Sequence, residues 1–124
     1  MKQISVILIG AGGRGRTYCG KMKNMPEQYK IVAVAEPRAD RRNLLSDELG
    51  IPDARRFASW QELLAQPKLA DCAFICTLDD DHTAPALRAM ELGYHVLLEK
   101  PMSNTESECR LIADTAQRTG CALA

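Results

Sequence analysis

The residues with the clearest chemical purpose in this 124-residue sequence are three glycines in Gly10-Ala11-Gly12-Gly13-Arg14-Gly15, spaced as G-x-G-x-x-G at positions 10, 12 and 15. In such a run the first glycine permits a tight turn out of a strand. The second lets the backbone approach a diphosphate, and the third allows a helix to pack closely on the strand. The amides of Gly13, Arg14 and Gly15 would then open a helix, where unpaired N–H groups and the positive dipole end favour an anion. Glu36 follows Gly15 by 21 residues, close to the roughly 20-residue separation at which an acid reaches a ribose diol. A carboxylate there accepts hydrogen bonds from both ribose hydroxyls and repels a 2′-phosphate. The chemistry indicated is recognition of a dinucleotide, with NAD preferred over NADP. Arg38, Arg41 and Arg42 pull the other way, since a guanidinium can stack on adenine or receive a 2′-phosphate, so NADP stays open. Arg41 and Arg42 read as a solvated helix face.

Other residues of metal-ligating type fit blander roles. Asp79, Asp80 and Asp81, followed by His82, suit a helix N-terminal cap with favourable dipole charge, and no further ligand stands at a suitable spacing. The five cysteines, Cys19, Cys72, Cys76, Cys109 and Cys121, are odd in number and contain no C-x-x-C pair. Cys72 and Cys76 lie in an apolar run, where thiols serve as small buried hydrophobes in a reducing cytosol. No metal site is expected.

These residues need a frame of strands and helices. Ile4 to Ile9 is an apolar, largely β-branched run of the kind buried on both faces of a parallel sheet. A helix is expected from about Arg14 to Lys23, and a second buried strand at Ile31 to Ala35, closed by Glu36-Pro37. Ala39 to Leu49 has helical composition and stops at Gly50. Phe57 and Ala58 suit a short third strand. Ser59-Trp60-Gln61-Glu62 has the capping-box spacing that starts a small helix before Pro67. Cys72 to Cys76 is the fourth strand, followed by a helix from about His82 to Leu92 with Asp81 as N-cap and Gly93 as stop. Tyr94 to Leu98 is the fifth strand. Asn104 or Thr105 caps a last helix whose Cys109, Ile112, Ala113 and Ala116 fall at i, i+3, i+4 and i+7, and Gly120 closes it. Alternating apolar strands and helices imply an α/β fold: a Rossmann-type doubly wound parallel sheet in three αβα layers, forming a single domain over residues 1–124. Cys121 to Ala124 reads as a strand just beginning, so the domain is expected to be cut at the start of its sixth strand.

Composition bounds the partners. Apolar residues make up 46% and charged residues 26%, the balance of a soluble globular chain. Sixteen basic and sixteen acidic residues cancel, which leaves no basic footprint for nucleic acid. The longest apolar run, Val6 to Ile9, falls far short of the about 20 residues that span a bilayer. Lys2 and the short run after it make a poor secretory signal, because no small-x-small cleavage site follows. A cytoplasmic protein is expected.

Four segments, Gly10 to Gly15, Ala35-Glu36-Pro37, Cys76-Thr77 through His82, and Glu99-Lys100-Pro101, occur in the order seen in the Gfo/Idh/MocA oxidoreductases, a family named for glucose-fructose oxidoreductase and inositol dehydrogenase. The resemblance covers essentially the whole chain, and the glutamate-lysine-proline signature is its most specific part. It implies that Thr77, Leu78, His82, Glu99 and Lys100 join the glycine loop, Glu36 and Arg38 in holding the cofactor. It also implies that Lys100 reaches the cleft between nicotinamide and a sugar-like or polyol substrate, positioning that substrate or relaying its proton. An ammonium at the carboxyl end of a parallel strand is well placed to stabilise negative charge developing on a reacting hydroxyl. Relatives usually carry threonine-proline-asparagine after the fourth strand, and Leu78 and Asp79 depart from it, which puts an amide-specific contact in doubt. Relatives also have a second domain with the substrate pocket, further catalytic residues and the usual homo-oligomer contacts. With that substrate domain absent, the expectation is cofactor binding without turnover, because one half of a cleft cannot impose near-attack geometry. Two other readings remain: a stand-alone NAD(P)-binding or redox-sensing module that does not need Lys100, and a methyltransferase, which the glycine spacing and Glu99-Lys100-Pro101 oppose.

Overall fold

The computed structural model describes residues 3–10, 24–25, 27–76, 83–98 and 105–123. Five strands alternate with helices through them: β1 (Ile4–Ile9), β2 (Tyr29–Ala35), α1 (Ala39–Leu49), β3 (Arg56–Phe57), α2 (Trp60–Leu64), β4 (Cys72–Ile75), α3 (Thr83–Glu91), β5 (His95–Leu98) and α4 (Glu106–Thr119). The helix expected from Arg14 to Lys23 and the Asp81 cap lie outside the described residues. The strands form one sheet in the order β3-β2-β1-β4-β5, and every neighbouring pair is parallel. After β3 the chain returns across the sheet to β4, so the strand order reverses between β1 and β4. In an open α/β sheet, that reversal point at the carboxyl ends of the strands is where ligands bind.

Alternation along the strands divides the apolar side chains between two faces. Ile7 and Ile9 of β1 join Leu63, Leu64, Ala86, Ala89, Met90, Ile112 and Ala116 of α2, α3 and α4 in one cluster. Val6 and Leu8 join Leu45 of α1 and Ile51 in the other. Helices therefore cover both faces, and the three αβα layers expected from the sequence are present. The alternation breaks once: the β1–β2 register shifts between Val6 and Ile7, where Val6 pairs with Ile31 and Ile7 with Ala33. Val32 is the extra residue of this bulge. It packs with Ala33 on the first face, while Ile31 and Val34 take the second.

Local signals set the helix ends. The Ser59 hydroxyl accepts from the Glu62 amide at 3.2 Å, and the Thr105 hydroxyl accepts from the Glu108 amide at 3.2 Å. Both are N-caps of the expected kind. The third strand is Arg56–Phe57, one residue earlier than the pattern suggested, and Ala58 is exposed. On α4 the stripe shifts as well: Ala113 is exposed and Thr115 is buried beside Ile112 and Ala116. Burial of Thr115 is tolerated because its hydroxyl donates to the Leu111 carbonyl at 2.8 Å. Leu123 makes an isolated parallel bridge to Val96 of β5, within the segment where the sequence suggested a strand.

Tyr94 precedes β5 and does not belong to it. Its side chain is fully buried, and its hydroxyl accepts from the Leu69 amide at 2.8 Å. Burial pushes the phenol above its ordinary value, and the Leu69 hydrogen bond partly offsets this. Tyr94→Phe leaves that amide without its acceptor and is expected to lower stability by about 1–3 kcal/mol. Urea unfolding should show an earlier midpoint at unchanged m. An unshifted midpoint would mean that the hydrogen bond contributes nothing net.

Candidate functional site

The candidate site lies where β1, β2 and β3 end. Gly10 leaves β1 with φ 96°, a region where a β-carbon would be strained, and it is buried. Its amide donates to the Ala35 carbonyl at 2.8 Å, and the Cys76 amide donates to the Ile9 carbonyl at 2.8 Å. The exit of β1 is thus tied to β2 on one side and to the end of β4 on the other, directly at the reversal of strand order. A diphosphate loop that starts at Gly10 starts from a fixed point.

Glu36 is the next residue after β2 and is only 6% exposed. Its backbone is clamped twice: the amide donates to the Phe57 carbonyl at 3.0 Å, and the carbonyl accepts from Arg42 Nη1 at 2.8 Å. Its carboxylate Oε2 accepts from the Arg38 amide at 3.0 Å. A carboxylate offers about four acceptor positions on two oxygens and can take more than one donor. An acid that is this buried and this firmly oriented suits ribose recognition better than a solvated glutamate would, because the side chain has already been ordered before a ligand arrives.

The arginines separate in a way that spacing did not show. Arg38 is exposed and forks onto Asp40, with Nε to Oδ1 at 3.4 Å and Nη2 to Oδ2 at 3.1 Å. The Arg38 guanidinium holds the Asp40 carboxyl below its ordinary value. Arg41 is exposed, as expected of a solvated face. Arg42 departs from that expectation: it is half-buried, and its guanidinium clamps the Glu36 carbonyl. A long side chain six residues along the chain can reach back over the first turn of α1, and only the fold shows that it does.

The remaining residues singled out in the sequence, Gly12, Gly13, Arg14, Gly15, Thr77, Leu78, His82, Glu99 and Lys100, lie outside the described residues, as do Asp79 to Asp81. Among the described residues no group of three or more His, Cys, Asp or Glu is arranged to hold a metal ion. Cys72, Cys76, Cys109 and Cys121 form no disulfide with one another and are half-buried. Burial, with the Asp71 charge adding to it, pushes the Cys72 thiol up, so it is a poor nucleophile at neutral pH. No described helix is long and apolar enough to cross a membrane.

Sequence reasoning missed one residue at this site. Trp60, the single tryptophan of the chain, entered only as a helix-start residue. It lines a cavity of about 220 Å³ together with Ile9, Gly10, Ala35, Pro37, Ser59 and Gln61, at the carboxyl ends of β1 and β2. The available signal was its place directly after the third strand, where ligand-facing loops of such sheets lie. A larger cavity of about 670 Å³ includes Gln3, Tyr29, Gly50 and Pro52. It opens beside the start of β2, away from the carboxyl ends, and volume alone does not make it the site.

Comparison with known proteins agrees with this fold. A family model described as an oxidoreductase family with an NAD-binding Rossmann fold matches residues 4–124. An uncharacterised oxidoreductase of Rhizobium meliloti is 34% identical over 94 residues, covering 76% of this chain and 27% of that protein. A D-glucoside 3-dehydrogenase of Escherichia coli K12 is 29% identical over 126 residues, covering 98% of this chain and 34% of that protein. The WlbA dehydrogenase from Bordetella pertussis, solved in complex with NADH and UDP-GlcNAcA, superimposes with a TM-score of 0.88 over 98% of this chain and 35% of that one. At 21% identity the last likeness concerns the fold. The chain spans about a third of the length of the curated relatives it matches.

Proposed function

The chain belongs to the Gfo/Idh/MocA oxidoreductase family as its NAD-binding Rossmann domain, and from that premise we propose that it holds the cofactor half of a cleft that oxidises a CH–OH group of a sugar, polyol or related substrate. The observation that carries the reading is Glu36: a buried acid at the end of β2, oriented by the Arg38 amide and tied through its backbone to β3 and α1. In this reading the amides from Gly12 to Gly15 take the diphosphate and the Glu36 carboxylate takes the adenosine ribose. Thr77, Leu78 and His82 follow β4, Glu99 and Lys100 follow β5, and they serve the nicotinamide side. NAD, when bound, supplies the hydride acceptor. Lys100 is the catalytic residue, its ammonium stabilising negative charge on the substrate hydroxyl as the proton leaves.

The buried Glu36 carboxylate disfavours a 2′-phosphate at the same place. Asp40 adds to this, because it already occupies the guanidinium that would receive one. We therefore place NAD ahead of NADP. Residues 4–124 form the cofactor domain, and the segment alone binds without turnover, since the substrate carbon needs a second wall to reach near-attack geometry. A calorimetric titration of the chain with NAD, NADP and S-adenosylmethionine tests the reading. Saturable binding of NAD, at least tenfold tighter than NADP and with no response to S-adenosylmethionine, is the expected result. A folded sample that saturates with neither nicotinamide dinucleotide overturns it.

A further inference from the structure

We infer that Trp60 is the wall against which the adenine ring packs, and so the residue that makes this cleft selective for a purine-bearing cofactor. The inference rests on the cofactor reading above and adds to it a residue that neither the glycine loop nor the ribose acid implies.

Strand order carries the first step. With Glu36 at the end of β2 holding the ribose, the adenosine half of an extended dinucleotide lies over the β2 and β3 side of the reversal point, and the nicotinamide half lies over β4 and β5. The cavity of about 220 Å³ sits on the adenosine side, with Ile9, Gly10, Ala35 and Pro37 from the ends of β1 and β2 and Trp60 from the segment after β3. Among the described residues its lining contains no charged side chain. A flat, uncharged heteroaromatic base suits such a lining, and a phosphate or carboxylate does not.

The second step is rigidity. Trp60 opens α2, whose first turn is locked by the Ser59 cap on the Glu62 amide. Its indole is half-buried and packs against the main apolar cluster. Three residues earlier, the Phe57 carbonyl accepts from the Glu36 amide at 3.0 Å. The backbone segments that carry the ribose acid and the indole are therefore tied together by one hydrogen bond. A large flat surface held in this way contributes contact to every purine at little ordering cost.

The test uses intrinsic fluorescence, because emission from the single tryptophan reports this position alone. Adding AMP or NAD to the chain is expected to change the emission, whereas nicotinamide mononucleotide, which lacks the adenosine half, leaves it unchanged. Trp60→Ala is expected to weaken both AMP and NAD about tenfold and nicotinamide mononucleotide not at all. Trp60→Phe, which keeps an aromatic wall and guards against misfolding, should stay within about threefold of the parent. If calorimetry shows NAD binding while the emission stays constant, and Trp60→Ala keeps its affinity, this inference is overturned and the cofactor reading survives. Equal weakening of all three ligands by Trp60→Ala assigns the indole a purely structural role and also overturns it. Absence of NAD binding to the parent chain removes both.

Discussion

Glu36→Ala is expected to raise the Kd for NAD about 100-fold, because it deletes two charge-assisted hydrogen bonds to the ribose diol, each of about 1.5–3 kcal/mol before losses. The change also strips the Arg38 amide of its acceptor and so loosens the turn into α1. Two controls separate these effects. Glu36→Gln keeps one carbonyl acceptor for the Arg38 amide but removes the charge, and it should weaken NAD about tenfold. A thermal melt of each variant shows whether the turn alone has been damaged. The same substitution should narrow the gap between NAD and NADP, since the anion that repels a 2′-phosphate is gone, although Asp40 still holds Arg38. Equal NAD affinity in Glu36→Ala and the parent would remove the carboxylate from cofactor recognition altogether.

The second large effect concerns turnover, on the proposed reading that this segment works together with a substrate domain. Lys100→Met removes the ammonium while keeping much of the side chain's length and apolar stem. Removing one preorganised stabiliser of developing charge costs about 10²–10³-fold, so kcat is expected to fall by at least about 100-fold. The Kd for NAD should stay within about threefold, because binding rests on the glycine loop and Glu36. A stopped-flow measurement of reduced cofactor formation, set beside a binding titration of the same variant, makes the comparison. Unchanged turnover would remove Lys100 from the chemistry. Loss of cofactor affinity in proportion to kcat would instead move Lys100 from chemistry to binding.

How much of this was legible beforehand depends on how far apart the interacting residues stand. The Ser59 and Thr105 caps, the α1 boundaries and the apolar strands were all readable, because each depends on neighbours within a few residues. Glu36 was found through a separation of 21 residues from Gly15, a spacing that itself encodes one strand-helix-strand unit. Where the pattern misled, a contact across the fold had intervened. Thr115 replaced Ala113 on the buried stripe once its hydroxyl found the Leu111 carbonyl, and Tyr94 left β5 to meet Leu69. The bulge at Val32 reassigns side chains between the two faces of the sheet without any glycine or proline to announce it.

The amino-acid order was sufficient for the architecture, the family and the candidate acid at the end of β2, because periodicity, capping and motif spacing are short-range properties written along one dimension. It was insufficient for the clamp of Arg42 on Glu36, the pairing of Arg38 with Asp40 and the place of Trp60 beside Gly10. Arg42 and Arg38 have several reachable partners, and packing selects among them. Trp60 meets Gly10 only because parallel pairing brings the ends of β1, β2 and β3 to one edge of the sheet, joining residues 50 positions apart in the chain.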